Sequence, residues 1–538
     1  MIGRIVGISG STVRARLPGL RLFERVYVGE AMLIGEVVRI DGEEAIIQVY
    51  ESTSGLSINE PVKGTGMTLT VRLGPGLLSG IFDGLERPLS RLRQEVGPFI
   101  TTGREIYAID YTMPYMFYPA VKEGAVINMG DILGYFEEGN LKHPIISVKE
   151  GRIEKIASGE ITLDSPLVVL DNGAEIFGCH EWPVRIPRPY RRKLPPTIPL
   201  ITGQRSLDFL FPVAKGGTVI IPGGFGTGKT ILEQSIAKFA DADIVIYVGC
   251  GERGNEMADL IDEFSKLKDP WNNRELMERT IIIANTSNMP VAAREASIYT
   301  AVTIAEYYRD MGYNVLLLAD SISRWAEALR EISSCLEEMP GEEGYPTYLS
   351  SRISSFIERA GVVDSLCGRP GSLTMILSVS PPGGDLTEPV TQACLRAGGA
   401  FVMLDTSLAH KRHFPAINWI QSYSLYGKEV SSYFIKEISR DWDLLKQRCI
   451  EILRREEELK DVVEIVGMEG LQDSDRILMQ VAEKVRMEFL CQNAYTEDAF
   501  SGPASTISKI SSLVKLYDAS IERLRMGESI DEILKGLS

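Results

Sequence analysis

Residues 223–230 read Gly-Gly-Phe-Gly-Thr-Gly-Lys-Thr. Glycines let successive backbone N–H groups turn inward as a nest for phosphate oxygens. The start of a following helix adds positive polarity. In this G-x-x-x-x-G-K-[ST] pattern, Gly223, Gly224, Phe225, Gly226, Thr227 and Gly228 form the cradle. Lys229 reaches the terminal phosphates and Thr230 ligates Mg²⁺. A second piece, "NVLLLADSISRW", ends an apolar run in Asp320, where an acid can hold the hydrated Mg²⁺ opposite Thr230. A third, "YVGCGERGNEM", contains G-x-G-x-x-G at Gly249, Gly251 and Gly254. Read as a dinucleotide fingerprint, it would place the Glu252 carboxylate beside a pyrophosphate and repel it. The better reading makes Glu252 a strand-end carboxylate that orients or deprotonates water, with Arg253 balancing charge near the γ-phosphate. The alternative is an inert solvated turn.

Such groups need strands that end side by side and helices that start there. From 200 to 428 the apolar runs "GTVIIPG", "DIVIYVG", "RTIIIAN", "NVLLLAD", "LTMILSVS" and "AFVMLD" alternate with helical stretches. Continuous apolar strands belong to parallel sheets buried on both faces, so this is an α/β domain. Residues 429–538 are charged and helical throughout. Residues 1–70 carry short β runs at turn-marked intervals, which predicts a small barrel or sandwich. The Gly- and Pro-broken stretch 71–109 reads as a linker. Residues 110–185 form a second β-rich domain. Within it "VKEGAVINMGDILGYF" and "VKEGRIEKIASGEITL" are expected to be hairpins, and their shared "VKEG" is a candidate weak repeat. The Pro- and Arg-rich run after it is a stiff connector.

The 538 residues exceed one core, and 44% hydrophobic with 24% charged residues is ordinary globular material. A net charge of -16 disfavours a nucleic-acid partner, which would call for a basic stripe. The opening residues lack an apolar signal-peptide core, and no apolar run is long enough to span a membrane. The seven cysteines form no CxxC pair, which fits a reduced compartment. His410 and His413 flank Lys411 and Arg412, which would repel a metal cation.

Four stretches together resemble one family. "ITGQRSLDFLFPVAKGGTVIIPGGFGTGKT", "YVGCGERGNEM", "NTSNMPVAAREASIYTAVTIAEYYRDMGYNVLLLADSISRWAEALREIS" and "PPGGDLTEPVT" are similar to the catalytic A subunit of V-type and A-type rotary ATPases. "PAINWIQSYS" fits the signature of the rotary ATPase α/β superfamily, and the 110–185 insertion marks the A subunit within it. The resemblance implies a RecA-like nucleotide-binding domain. It implies that Lys229, Glu252, Arg253 and Arg324 serve catalysis, and that Thr230 and Asp320 hold Mg²⁺. It also implies that Phe414 packs on adenine while Tyr495 and Phe500 close the base pocket. The activity implied is ATP synthesis driven by a proton or sodium gradient, or its reverse.

The implied partners are a noncatalytic B subunit that alternates with this chain in a ring with three of each, central rotor-shaft and peripheral stalk subunits, and a membrane ion-channel sector. The implied place is the cytoplasmic side of a membrane, peripherally bound. The family's arginine finger comes from the noncatalytic neighbour, so this chain alone is expected to bind nucleotide and turn over poorly. A homohexameric protein-export ATPase is the alternative reading. An RNA translocase and a nucleotide-storing subunit are weaker ones. Gly224 stands where the family usually has Pro or Ala, Thr227 stands where eukaryotic relatives have Cys, and the chain ends sooner than the resemblance leads one to expect.

Overall fold

The computed structural model describes residues 2–97, 103, 106–139 and 141–537. They fold as two compact units. The first comprises Met1–Pro195, Ala242–Val379 and Leu386–Ala397; the second comprises Pro196–Asp241, Ser380–Asp385 and Gly398–Ser538.

The first unit opens with a closed barrel. Its strands neighbour one another in the order Ile2–Ser9, Thr12–Arg16, Glu44–Val49, Leu33–Asp41, Glu24–Val28 and Pro61–Thr68. Alternating residues point inward, and Val13, Val26, Val37 and Ile47 form a sealed interior. Closure leaves no edge for stray pairing.

Two four-stranded sheets follow. One orders Val126–Ile127, Gly151–Ile156, Pro166–Leu170 and Glu175–Phe177; the other orders Leu141–Ile146, Ile132–Glu138, Pro114–Pro119 and Gly159–Thr162. The two expected hairpins do not form. Each quoted stretch sends its two strands to different sheets, through Gly130 and Gly159 at φ 95° and 92°. The "VKEG" pieces instead lead into strands that pair with each other, Val126 opposite Arg152. Gly124 N–H donates to the Ile153 carbonyl, and Ile153 N–H to that of Ala125, both at 2.8 Å.

The expected linker at 71–109 is also more than a linker. Ile81–Phe82 adds a parallel edge strand to Thr280–Thr286. Gly84 is needed beside it, since a Cβ there would lie 2.3 Å from the Ala293 carbonyl oxygen. In the Pro/Arg connector, Arg185 bridges Glu36 of the barrel at 2.7 Å and Glu295 at 2.9 Å. Arg188 pairs with Asp310 at 2.7 Å. These arginines tie the barrel and the connector to helix Val291–Asp310, in which only Val291 and Arg294 escape burial.

The α/β part of this unit has parallel strands in the order Pro370–Val379, Asn314–Asp320, Ile244–Glu252, Thr280–Thr286 and Ile81–Phe82. Gly361–Asp364 runs antiparallel on the first of these. The runs are almost wholly buried, as strands covered on both faces must be.

In the second unit Thr218–Pro222 pairs parallel with Ala400–Phe401, which Tyr423–Ser424 extends antiparallel. Only Ala400–Phe401 of the expected "AFVMLD" run is regular strand. Past it the chain keeps single bonds, Val402 N–H to the Ile220 carbonyl and Leu404 N–H to that of Pro222, both 2.9 Å. After Tyr423–Ser424 the unit is helical, with Gly427–Glu437, Trp442–Val466, Asp473–Lys484, Pro503–Arg525 and Ile530–Leu537 as its α-helices. Trp442 stacks on Phe434 at 4.3 Å and meets Phe209 edge-on at 5.2 Å, anchoring the long helix.

Candidate active site

The phosphate loop lies in the second unit, between the buried strand Thr218–Pro222 and helix Lys229–Phe239. Gly226 and Gly228 hold φ of 79° and 81°, the left-handed region that glycine enters freely. Gly223 must lack a side chain, because a Cβ would sit 2.6 Å from Thr227 Oγ1 and 3.0 Å from Leu404 Cβ. Thr227 is buried and its hydroxyl donates to the Gly224 carbonyl at 2.9 Å, closing the loop on itself. Phe225 projects outward, 92% exposed. Lys229 Nζ donates to the Gly223 carbonyl at 3.1 Å and to Ser380 Oγ. Thr230 follows it in the first helical turn.

The aromatic residues lie in the same unit. A Cβ on Gly228 would touch the Phe414 ring at 3.3 Å, so that ring lies against the end of the phosphate loop. Its backbone carbonyl accepts from Gln492 N–H at 2.7 Å. Phe500 covers Gly203, whose Cβ would come within 2.6 Å of its ring, and it tilts against Phe239 at 5.8 Å. Tyr495 is 81% exposed on a turn held by Asn493. This turn is fixed by groups that no sequence motif marks. Buried Arg205 donates to the Phe489 and Cys491 carbonyls, both at 2.7 Å, and forks onto Asp498. Burial pushes the Asp498 pKa up, but the bonds from Arg205 and Lys509 outweigh it and hold it at about 2. Gln492 Nε2 donates to the Gly203 carbonyl at 2.8 Å.

The strand-end acids lie in the first unit. Register sets Gly249 beside Asp320 on neighbouring parallel strands. Asp320 is buried and accepts from Ser378 Oγ at 2.6 Å. Beyond Gly249 the strand bulges between Cys250 and Glu252. Gly251, at φ 75°, makes that bulge, and a Cβ there would be 3.0 Å from Arg294 Nε and Arg324 Cβ. Glu252 thereby ends the strand half-buried, its carbonyl accepting from Ser287 N–H at 2.9 Å. Arg253 begins the next helix, with its side chain 62% exposed and 3.5 Å from Glu256. Arg324 pairs with Glu327 at 2.9 Å. That bond raises its pKa against the pull of burial, and the Glu252 and Asp320 charges add to the rise.

The G-x-G-x-x-G spacing therefore serves packing. Gly249 admits Met257, whose sulfur would be 2.2 Å from a Cβ, and Gly251 admits two arginines. Ser378, Ser380 and Arg294 are further residues of these strand ends and first turns. A signal for the serines was present in "LSVS", at the C-terminal end of a buried strand.

Among the described residues no helix is long and apolar enough to cross a membrane, and no cluster of three or more His, Cys, Asp or Glu could hold a metal.

A glycine-rich loop between buried strand and helix, with acids closing neighbouring parallel strands, defines a P-loop nucleotide-binding protein. The ATP synthase alpha/beta nucleotide-binding domain profile matches residues 203–424. Profiles of the family's β-barrel domain match 5–66, its barrel-sandwich domain 106–185, and the C-terminal domain of V and A type ATP synthase 432–534. The chain is 52% identical to the A subunit of the A-type ATP synthase of Methanopyrus kandleri, over 99% of this chain and 92% of that one. It is 50% identical to its counterpart in Methanosarcina barkeri (99% and 93%) and to the V-type ATP synthase alpha chain of Acetivibrio thermocellus (99% and 92%). The assembled ATPase EscN of the type III secretion system of enteropathogenic E. coli shares the fold, at TM-score 0.68 and 22% identity, covering 95% of this chain and 100% of that one. The chain belongs to the A-subunit family of A-type and V-type ATP synthases. It is a catalytic, nucleotide-binding subunit of a multisubunit rotary ATP synthase/ATPase.

Proposed function

We propose that this chain supplies the reacting site of an alternating ring, in which three copies alternate with three noncatalytic B subunits. A rotor shaft through the ring and a peripheral stalk couple it to a membrane ion channel, which keeps the chain peripheral on the cytoplasmic side. Backbone amides of 223–228 and the Lys229 ammonium bind the β- and γ-phosphates. Glu252 takes the proton of the attacking water, or returns it in synthesis. Arg253 balances charge near the γ-phosphate, and Arg324 acts close to the same phosphoryl group. Phe414, Tyr495 and Phe500 seat the purine by stacking, which tolerates different bases.

Mg²⁺ suits the donors available. Thr230 and Asp320 offer hard oxygens, and this ion is commonly held by one or two such groups together with substrate phosphates and water. When bound, it neutralises charge developing on the transferred phosphoryl oxygens.

The bulged strand end carries this reading. Gly251 turns the chain so that Glu252 ends its strand beside Arg324, while Asp320 ends the next strand on Ser378. An arginine finger from the neighbouring subunit is worth roughly 10³–10⁵ in rate. The isolated chain should therefore bind ATP with trace turnover, and mixing with the B subunit should raise turnover by about that factor. Full activity from the isolated chain, eluting as a homohexamer, would replace the reading with a protein-export ATPase.

A further inference from the structure

In the first unit a cavity of about 440 Å³ opens between the inserted sheets and the C-terminal half of helix Val291–Asp310. None of the phosphoryl-transfer residues reaches it. Its size falls in the range of small-molecule sites, roughly 300–1,000 Å³. Ile145, Ile146 and Ile176 give it apolar walls, and Met129, Val148 and Phe177 rim it with exposed apolar side chains.

The buried charges are matched, while exposed Lys149 and Glu175 stand at the rim. Arg188 pairs with Asp310 at 2.7 Å, and its guanidinium lies over the rings of Trp182 and Tyr307. One polar group is left over. Arg188 Nη1 donates to His180 Nε2 at 3.0 Å, since a guanidinium can only donate. His180 is neutral, because burial and then the Arg188 charge hold its pKa at about 3. Its proton therefore sits on Nδ1, and that N–H meets no acceptor among the described residues. His180 lines the cavity, so this donor is left to whatever enters it.

We infer that this cavity binds a small, uncharged, largely apolar molecule that presents one hydrogen-bond acceptor to His180 Nδ1. In the interior an anion would meet Arg188 already neutralised by Asp310; Lys149, whose Nζ donates to the Glu175 backbone carbonyl at 2.7 Å, and the Glu175 carboxylate stand on the exposed rim, outside the apolar interior.

The test uses the full chain and two near-isosteric probes, acetophenone and isopropylbenzene, followed by saturation-transfer NMR titration. Acetophenone should bind saturably, about fivefold tighter than the hydrocarbon, the worth of one neutral hydrogen bond. Val148→Trp and Met129→Trp place a ring over the mouth from exposed positions, and each should weaken acetophenone at least several-fold. Two mouth variants guard against either one misfolding, which a thermal melt reports. The inference falls if acetophenone shows no saturable binding into the millimolar range, or if the hydrocarbon binds as tightly. It also falls if both folded variants bind acetophenone like the parent.

Discussion

Two glycine-rich turns leave a buried strand and enter a helix in this molecule, and, apart from Gly223, which Thr227 and Leu404 crowd, the glycines that mark each turn do opposite work. In 223–228, Gly226 has open space where a Cβ would go, and Gly226 and Gly228 take positive φ. Their bareness exposes backbone N–H groups, which is what a phosphate cradle consists of. In 249–254 the space is filled. Met257 occupies the side-chain position of Gly249, and Arg294 and Arg324 crowd Gly251. One turn uses glycine to present backbone to a ligand; the other uses it to bring side chains close to a strand end. A shared spacing pattern thus covers two chemistries, and the neighbours of each glycine tell them apart.

The sharpest test of that division is Glu252→Gln, which keeps shape and removes the base. Assembled with its partner subunits, the variant should lose 10²- to 10⁴-fold in hydrolysis, the usual scale of general-base catalysis. ATP binding by the phosphate loop should be unchanged, as read by fluorescent nucleotide titration. If binding falls in step with turnover, the second turn is structural and the contrast collapses.

Next come the crowded glycines. Gly251→Ala places a side chain at φ 75° and against two arginines, and should cost about 1–3 kcal/mol in a urea titration. Gly249→Ala has an ordinary φ and should cost a similar ~1–3 kcal/mol purely by displacing Met257. Adding Met257→Ala should recover part of the Gly249→Ala loss and none of the Gly251→Ala loss. Equal recovery in both would mean that crowding at Gly249 and Gly251 is one packing defect.

How far the sequence could disclose this depends on range. The barrel was legible because its strands alternate and turn locally, and the phosphate loop because its motif is contiguous. The inserted sheets misled because Val126 pairs with Arg152 across intervening strands, and no local pattern encodes that register. Ile81–Phe82 is a strand of two residues, too short for periodicity, which exists only because Thr280–Thr286 offers it an edge. Arg185 and Arg188 fell in a run that the sequence marked only as a stiff, Pro- and Arg-rich connector. Their burial depends on Glu36, Glu295 and Asp310, up to about 150 positions away in the chain. At the site, Lys229 is named from its contiguous motif and Glu252 and Asp320 from strand ends, whereas Phe414, Tyr495 and Phe500 are named only through family resemblance. Arg205 and Gln492, which fix the aromatic turn, carry no local signal at all.

The smallest effect concerns Gly224, which belongs to neither class. Its φ lies outside the left-handed region, and a Cβ would meet only the methyl of Thr406, at 3.3 Å. Thr406 is exposed and can give by the few tenths of an ångström required. This glycine therefore neither presents backbone through an unusual conformation nor makes room for a neighbour. Its effect is on the freedom of the loop before phosphate arrives. Gly224→Ala should remove part of that freedom and stabilise the chain by about 0.4–1 kcal/mol. Where ordering the loop is part of nucleotide binding, ATP affinity should rise about two- to fivefold. Gly226→Ala is the control, since φ 79° should make the same substitution destabilising by ~1–2 kcal/mol despite open space. A loss of stability or affinity in Gly224→Ala would show that this glycine works as Gly226 and Gly228 do, and that its backbone must move through conformations an alanine cannot reach.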